Sequence, residues 1–296
     1  MIKSFSELFT DSIGAFRANV RTLLVGAFVL SLLIFTGQML FQSKTVSLVE
    51  RRFGSVEHFS DLADRMGRGD EGAVKEMMQS MGMEDIGGTS DDAVVQAMMF
   101  RMIRGVGPSL GLLVLASLIL FVLGKTYFLV VAVEETEDPA DAFIRACRVV
   151  FPLIGIHIWM FLRSFVWIPL VGPFIGLVIG PRLMLAPVVY LREGTGIVES
   201  VRISNERSRG YWWKIVGNGF LAGIAIGIVM FVAWIVLSIV LSMVPPVSAF
   251  AFVVVPQIAL AFGTVFYAHL SGEILSHPLV PGKVMKAKKP AGKKRK

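Results

Sequence analysis

Residues 108–133 read PSLGLLVLASLILFVLGKTYFLVVAV, with Lys125 as the one charged residue among them. A helix that crosses about 30 Å of hydrocarbon needs about 20 consecutive, mostly apolar residues. This run exceeds that length. Five more stretches resemble it, at 22–41, 149–168, 171–191, 212–243 and 246–270. The third and fourth of the six are separated only by the neighbourhood of Trp167-Ile-Pro-Leu-Val171, so they form a tight antiparallel hairpin. The fifth and sixth turn near Pro245-Pro246, with no charge between them. The pattern predicts an all-α, polytopic membrane protein with six transmembrane helices.

Composition leads to the same place. The 296 residues are 54% hydrophobic and 17% charged, with a mean hydropathy of +0.69. Soluble domains are about 45–50% apolar and a quarter charged. The apolar excess has to face lipid. The net charge of +7 belongs to the end of the chain: eight of the 29 basic residues follow Glu273, leaving 21 against 22 acidic. Residues 274–296, rich in Lys, Pro and Gly, are expected to be a disordered basic tail beyond a membrane domain at 1–273. The first apolar run starts near Thr22, is long enough to span and lacks a small-residue cleavage pattern, so it reads as an anchor and not a cleaved leader.

Basic residues in short loops set the orientation. Lys3, Arg17 and Arg21 precede the first span. Arg145 and Arg148 lie between the second and third; Arg192, Arg202, Arg207, Arg209 and Lys214 lie between the fourth and fifth; the tail follows the sixth. Six spans put all four regions on one side. The expectation is a cytoplasmic (inner) membrane with both termini in the cytoplasm. The segment 42–107 is then an extracytoplasmic insertion. Val74, Met77, Met78 and Met81 recur at helical spacing up to Gly82, and Asp91 or Asp92 begins a second helix carrying Val94, Val95, Met98, Met99 and Met102. With a turn at Gly87-Gly88 this reads as a small helical cap.

A unit of one short amphipathic helix and two spans occurs three times. Ser4 and Glu7 form an S-x-x-E capping box before Phe5, Leu8, Phe9, Ile13, Phe16 and Val20. Asp138-Pro139 places an N-cap acid before a first-position proline. Thr195 is the expected cap of a third helix, whose Glu199, Arg202, Glu206 and Arg209 follow at spacings of three and four. These three helices are expected to lie on the cytoplasmic interface with apolar faces in the acyl boundary, and Tyr211, Trp212 and Trp213 to anchor at the headgroups.

The third unit runs Arg182-Leu-Met-Leu-Ala-Pro187-Val-Val-Tyr-Leu-Arg-Glu193-Gly194, then Ser200-Val-Arg-Ile-Ser204, then Arg209-Gly210-Tyr-Trp-Trp213-Lys. It resembles the membrane domain of the glycerophosphoryl diester phosphodiesterase membrane-domain family, which also occurs as standalone bacterial membrane proteins. The resemblance covers 180–217, and Ser200-Val201 stands where that family usually has alanine-leucine. It implies architecture only. In the enzymes of that family the chemistry sits in a separate soluble barrel of about 250 residues, which this chain has no room for, and the His-Arg-Gly start of such barrels is missing. No phosphodiesterase activity is carried over, and the chain is expected not to be an enzyme.

Ionisable residues at membrane depth are candidate functional sites, because burying charge in lipid is expensive. Lys125, His157, Arg163, Arg182, His269 and Glu273 qualify. Arg163 and Arg182, with Lys125, are the candidates for contact with an anionic lipid headgroup or substrate. Against that, Arg163 can snorkel and Arg182 can bond backbone freed by Pro181. Arg202, Arg209, Tyr211, Trp212 and Trp213 are the candidate interfacial anchors. The single cysteine, Cys147, excludes an internal disulfide and reads as packing, and Met77 to Met83 reads as packing before it reads as a copper site. Gly172, Gly176 and Gly180, and Gly219, Gly223 and Gly227, stand four apart, a spacing that suits close helix contact within the bundle or at a dimer face. No P-loop or HExxH zinc motif occurs, and no metal or cofactor is expected. The expected role is a non-enzymatic membrane module that organises or assists membrane proteins or lipids. Its partners are anionic membrane lipids and a membrane protein; nucleic acid is not among them. The alternative is a small transporter or lipid-handling protein with an anion site at Arg163 and Arg182.

Overall fold

The computed structural model describes residues 3–80, 82, 91–165, 172–241 and 244–277. Among these, all regular structure is helical and there is no strand. Eleven helices follow in order: α1 (Phe5–Ala18), α2 (Val20–Phe53), α3 (Val56–Gly67), α4 (Glu71–Ser80), α5 (Asp91–Glu134), α6 (Pro139–Phe165), α7 (Gly172–Leu183), α8 (Ala186–Glu193), α9 (Ile197–Arg207), α10 (Trp212–Val240) and α11 (Pro245–Ser276). Five segments are long and apolar enough to cross a membrane: Val20–Phe53, Gly107–Glu134, Pro139–Arg163, Trp212–Val240 and Val247–Ser276. The chain is a multi-pass helical membrane protein. The basic tail, Met81, Met83, the Gly87-Gly88 turn and the hairpin turn at 167–171 lie outside the described residues.

The chain divides into two compact units, Leu30–Phe121 and the remainder, Met1–Val29 with Val122–Lys296. The smaller unit gathers Phe53, Leu62, Ala73, Met77 and Met78 into a core, with Phe59 packed on Phe53 at 4.9 Å between ring centroids. The methionines are therefore packing residues here. Arg65 closes the turn between α3 and α4 by donating from Nε to Asp70 at 2.9 Å. Helices α2 and α5 run well past the hydrocarbon-length segments expected of them, so among the described residues α3 and α4 are the separate helices of what had read as a long loop. Apolar stripes at 46–53 and 94–103 continue the helical period of the spans, which hid this continuity.

In the larger unit, α1 starts on the expected capping box: the Ser4 amide donates to Glu7 Oε2 at 2.7 Å, and the Glu7 amide donates to Ser4 Oγ at 3.4 Å. Its apolar face does not lie open for lipid as expected. Phe5, Phe9 and Phe16 stack on Phe262 and Phe266 of α11, the Phe9–Phe262 pair edge-on at 5.4 Å. Helix α6 starts on Asp138, whose carboxylate accepts from the Asp141 amide at 3.2 Å. It runs unbroken into the span, so the second amphipathic helix is fused to its membrane segment. Helix α9 starts one residue later than the expected cap: Gly196 is the N-cap, while Thr195 Oγ1 is bonded to Ser200 Oγ at 2.7 Å. An acid at the end of α5 and one at the end of α8 each latch the helix that follows. Arg145 donates from Nε and Nη2 to Glu134, at 3.0 and 2.9 Å, and Arg207 donates to Glu193.

The expected fourth span, 171–191, is not one helix. It is α7 and α8, interrupted at Met184 and Leu185. Pro187 has no amide hydrogen for the Leu183 carbonyl, and the Val188 amide turns back to Leu185 O at 3.1 Å.

Helix α2 meets α5 closely at Gly26. A β-carbon there would stand 2.1 Å from Tyr127 Cε1, and the Tyr127 hydroxyl donates to the Thr22 carbonyl at 2.8 Å. Gly26→Ala is expected to displace the ring and destabilise the protein by about 1–3 kcal/mol, the usual range for overpacking. Gly14→Ala, where a β-carbon meets nothing within 4 Å, is expected to leave stability unchanged or slightly raised. Thermal unfolding of both variants in detergent distinguishes them, and equal midpoints would refute the contact.

Candidate functional site

The break between α7 and α8 is flanked by buried residues, although Met184 itself is half exposed. Leu183, Leu185, Ala186, Val188 and Val189 have no solvent exposure. Backbone carbonyls released there cannot turn to water, and each left unpaired would cost about 1–3 kcal/mol. Side chains from two other helices take those of Arg182 and Met184. Ser204 and Ser208 of the α9 segment both donate to Arg182 O, at 2.5 and 3.2 Å, and the Tyr267 hydroxyl of α11 donates to Met184 O. Ser200, Ser204 and Ser208 stand four apart and are wholly buried. This serine stripe is small enough for close approach and polar enough to cap carbonyls. The sequence carried it opposite the charged stripe that had drawn attention, and an i, i+4, i+8 serine series beside a proline-broken helix was the available signal.

On the outer face of α9, Arg202 pairs with Glu199 at 2.5 Å and with Glu206 at 3.0 Å. These contacts hold the Glu199 carboxyl below its ordinary pKa and the Arg202 guanidinium above its own. Arg209 lies beyond the helix end and is exposed, so it does not complete the expected stripe. The aromatic trio divides: Tyr211 is buried and donates to His277 O, whereas Trp213 is 78% exposed with Trp212 packed edge-on against it at 4.5 Å.

The two arginines stand on different helices. Arg163 is exposed, two residues before the end of α6. Arg182 lies ten residues into α7, about 15 Å from its start at 1.5 Å per residue. The half-buried Arg182 keeps its Nε buried with no hydrogen-bond partner. Lys125 is half-buried on α5, within electrostatic reach of His157 on α6, and the His157 ring is bonded to Leu153 O in its own helix at 2.7 Å. Gly107-Pro108-Ser109-Leu110-Gly111 has the spelling of a serine-nucleophile elbow. It lies inside continuous α5 and not on the strand-to-helix turn that the motif needs.

Among the described residues of the larger unit, two cavities bear on the site. One, of about 240 Å³, is lined by Asn19, Glu135, Glu137 and His269 among apolar neighbours. The other, of about 400 Å³, lies beside the helix break and is lined by Pro181, Met184, Ile215, Gly219, Gly223 and Tyr267, among others. Arg182 lines neither. The glycines of α10 do not serve close packing within the chain, because a β-carbon at Gly219, Gly223 or Gly227 would meet nothing within 4 Å. Among the described residues, no group of three or more His, Cys, Asp or Glu side chains is placed to hold a metal.

No family model, curated protein or solved structure matches this chain. Its reading therefore comes from its own geometry.

The serine pair yields a test. Ser204→Ala and Ser208→Ala each leave one donor on the Arg182 carbonyl, so each alone is expected to cost little, about 0.5–1.5 kcal/mol. The double variant orphans the carbonyl and is expected to cost more than the two losses added, a coupling measurable as a double-mutant cycle on thermal unfolding. Strict additivity would show that the two hydroxyls do not share that acceptor.

Proposed function

We propose that the chain is a non-enzymatic, six-span module of a cytoplasmic (inner) membrane, with both termini in the cytoplasm, that organises or assists membrane lipids or membrane proteins. The observation that carries this reading is the way the helix break is sealed. Transporters built on discontinuous helices leave unwound carbonyls and helix ends free to bind substrate and coupling ions. Here the Arg182 and Met184 carbonyls are occupied by Ser204, Ser208 and Tyr267, and the cavity beside them is apolar apart from Tyr267. A sealed, internally braced break suits a scaffold.

In this reading α7 and α8 together form the sixth span. At 1.5 Å per residue, residues 172–193 reach about 33 Å, enough to cross. The ends of the helices support it. Arg192, at the end of α8, lies against Gly272 near the end of α11, and Glu135, just past α5, shares a cavity with His269 of α11. The α7–α8 pair thus returns to the end from which α6 departs. The resemblance to the glycerophosphoryl diester phosphodiesterase membrane-domain family belongs to this proposal as architecture, without its chemistry. The partners are anionic lipids and a membrane protein. The alternative is a small transporter or lipid-handling protein with an anion site at Arg163 and Arg182, and the occupied carbonyls at the break speak against it.

In a Cys147→Ser background, single cysteines at Glu137 and Thr195 are expected to react with a membrane-impermeant maleimide from the same, cytoplasmic side. Reaction from opposite sides would reduce the spans to five. Native mass spectrometry of gently extracted protein is expected to show a bound anionic lipid or protein subunit that survives Arg163→Ala and Arg182→Ala. Loss of the bound species in both variants would favour the shared anion site, and a bare chain in every preparation would overturn the module reading.

A further inference from the structure

The 400 Å³ cavity has features that its place beside the break does not explain. Its floor on α10 is a stripe at spacings of three and four, through Ile215, Gly219, Gly223 and Ile226. The two glycines are open above their α-carbons, so the groove exists because side chains are missing from it. Helix α10 is the barest of the five candidate spans, with only 6% of its apolar window buried in the protein. In a bilayer, whatever fills this groove comes from the lipid side. From Ile215 to Ile226 the groove is about 16 Å deep at 1.5 Å per residue, close to half of a 30 Å hydrocarbon core. That is the depth of one leaflet. Its volume falls in the range of about 300–1,000 Å³ typical of built ligand sites.

The end of the groove at the head of α10 carries the complementary chemistry. Trp212 continues the same stripe three residues above Ile215, and aromatic residues of this kind settle at the headgroup level. Lys214 follows it, and the exposed Arg209 precedes it. Ser208, beside Arg209, is bonded to the Arg182 carbonyl, so this cationic end is tied to the wall of the groove at Pro181 and Met184. No acidic residue lines the cavity.

We propose that this groove holds one acyl chain of an anionic phospholipid, seated in the leaflet at the Trp212 end with its headgroup against Arg209. The proposal builds on the membrane-module reading and gives it a lipid site distinct from Arg163. Gly223→Leu puts a side chain into the groove at a position where nothing lies within 4 Å of the added β-carbon. Gly227→Leu adds the same bulk at a glycine that is equally open but does not line the cavity.

The test is native mass spectrometry of the full chain released from nanodiscs of equimolar dioleoyl phosphatidylcholine and dioleoyl phosphatidylglycerol, with thermal unfolding run on every variant to confirm folding. Wild type and Gly227→Leu are expected to retain one phosphatidylglycerol, and Gly223→Leu to lose it at an unchanged unfolding midpoint. Arg209→Gln is expected to lower the preference for phosphatidylglycerol about five-fold, the usual worth of one cation near an anionic surface. Equal retention by Gly223→Leu would overturn the groove as the site even if the module reading stands. Equal retention of the two lipids by wild type would overturn the headgroup assignment, and a second protein chain bound in place of lipid would overturn the occupant.

Discussion

A helix that breaks inside an apolar bundle releases carbonyls that neither water nor hydrocarbon can satisfy, and the arrangement around α7 and α8 answers that constraint. Unpaired backbone in such surroundings is tolerated only where other protein groups re-satisfy it. Three hydroxyls do so here, from Ser204, Ser208 and Tyr267. Their requirement fixes much else. It sets α9 across the break, which is why the face of α9 turned inward is serine and valine where an interfacial helix would carry large apolar groups. It also draws α11 alongside α8, so that Arg192 rests on a residue with no side chain, Gly272, whose added β-carbon would come within 2.5 Å of the guanidinium.

Two ion pairs tie successive helices together. Glu134 ends α5 and Glu193 ends α8, and each holds an arginine on the helix that follows, Arg145 of α6 and Arg207 of α9. Exposed ion pairs of this kind contribute little stability each. Their value is in direction, since a bidentate carboxylate fixes the angle at which the chain leaves one span and enters the next. The amphipathic helices are therefore parts of the bundle before they are membrane anchors. The phenylalanines of α1 meet those of α11, and Ile197 at the start of α9 sits where a β-carbon on Gly155 of α6 would come within 2.9 Å of it.

Much of this was legible from residues whose local physics is insistent. The capping box at Ser4 and Glu7, the acid-proline start at Asp138-Pro139 and the salt-bridged face of α9 need no tertiary context, and each stands where the sequence placed it. The long apolar runs gave five spans directly. What stayed hidden depends on partners remote in sequence. Pro181 and Pro187 announce a disturbed helix, but the sealing of the break needs hydroxyls more than 20 and more than 80 residues away. The glycine series on α10 was ambiguous for a similar reason. Glycine permits close approach without compelling it, and only the course of α11 reveals an open groove.

The fate of the arginines shows where sequence argument reaches its limit. Charge at membrane depth is expensive wherever it occurs, so Arg163 and Arg182 drew equal notice. Their surroundings differ all the same. Arg163 is exposed near the end of α6, while Arg182 spends its backbone carbonyl on α9 and keeps its Nε buried. A cation's usefulness to a lipid depends on whether an apolar trough leads away from it toward the bilayer interior. In this fold the cation so placed is Arg209 at the head of α10, which composition alone reads as an ordinary member of a basic loop.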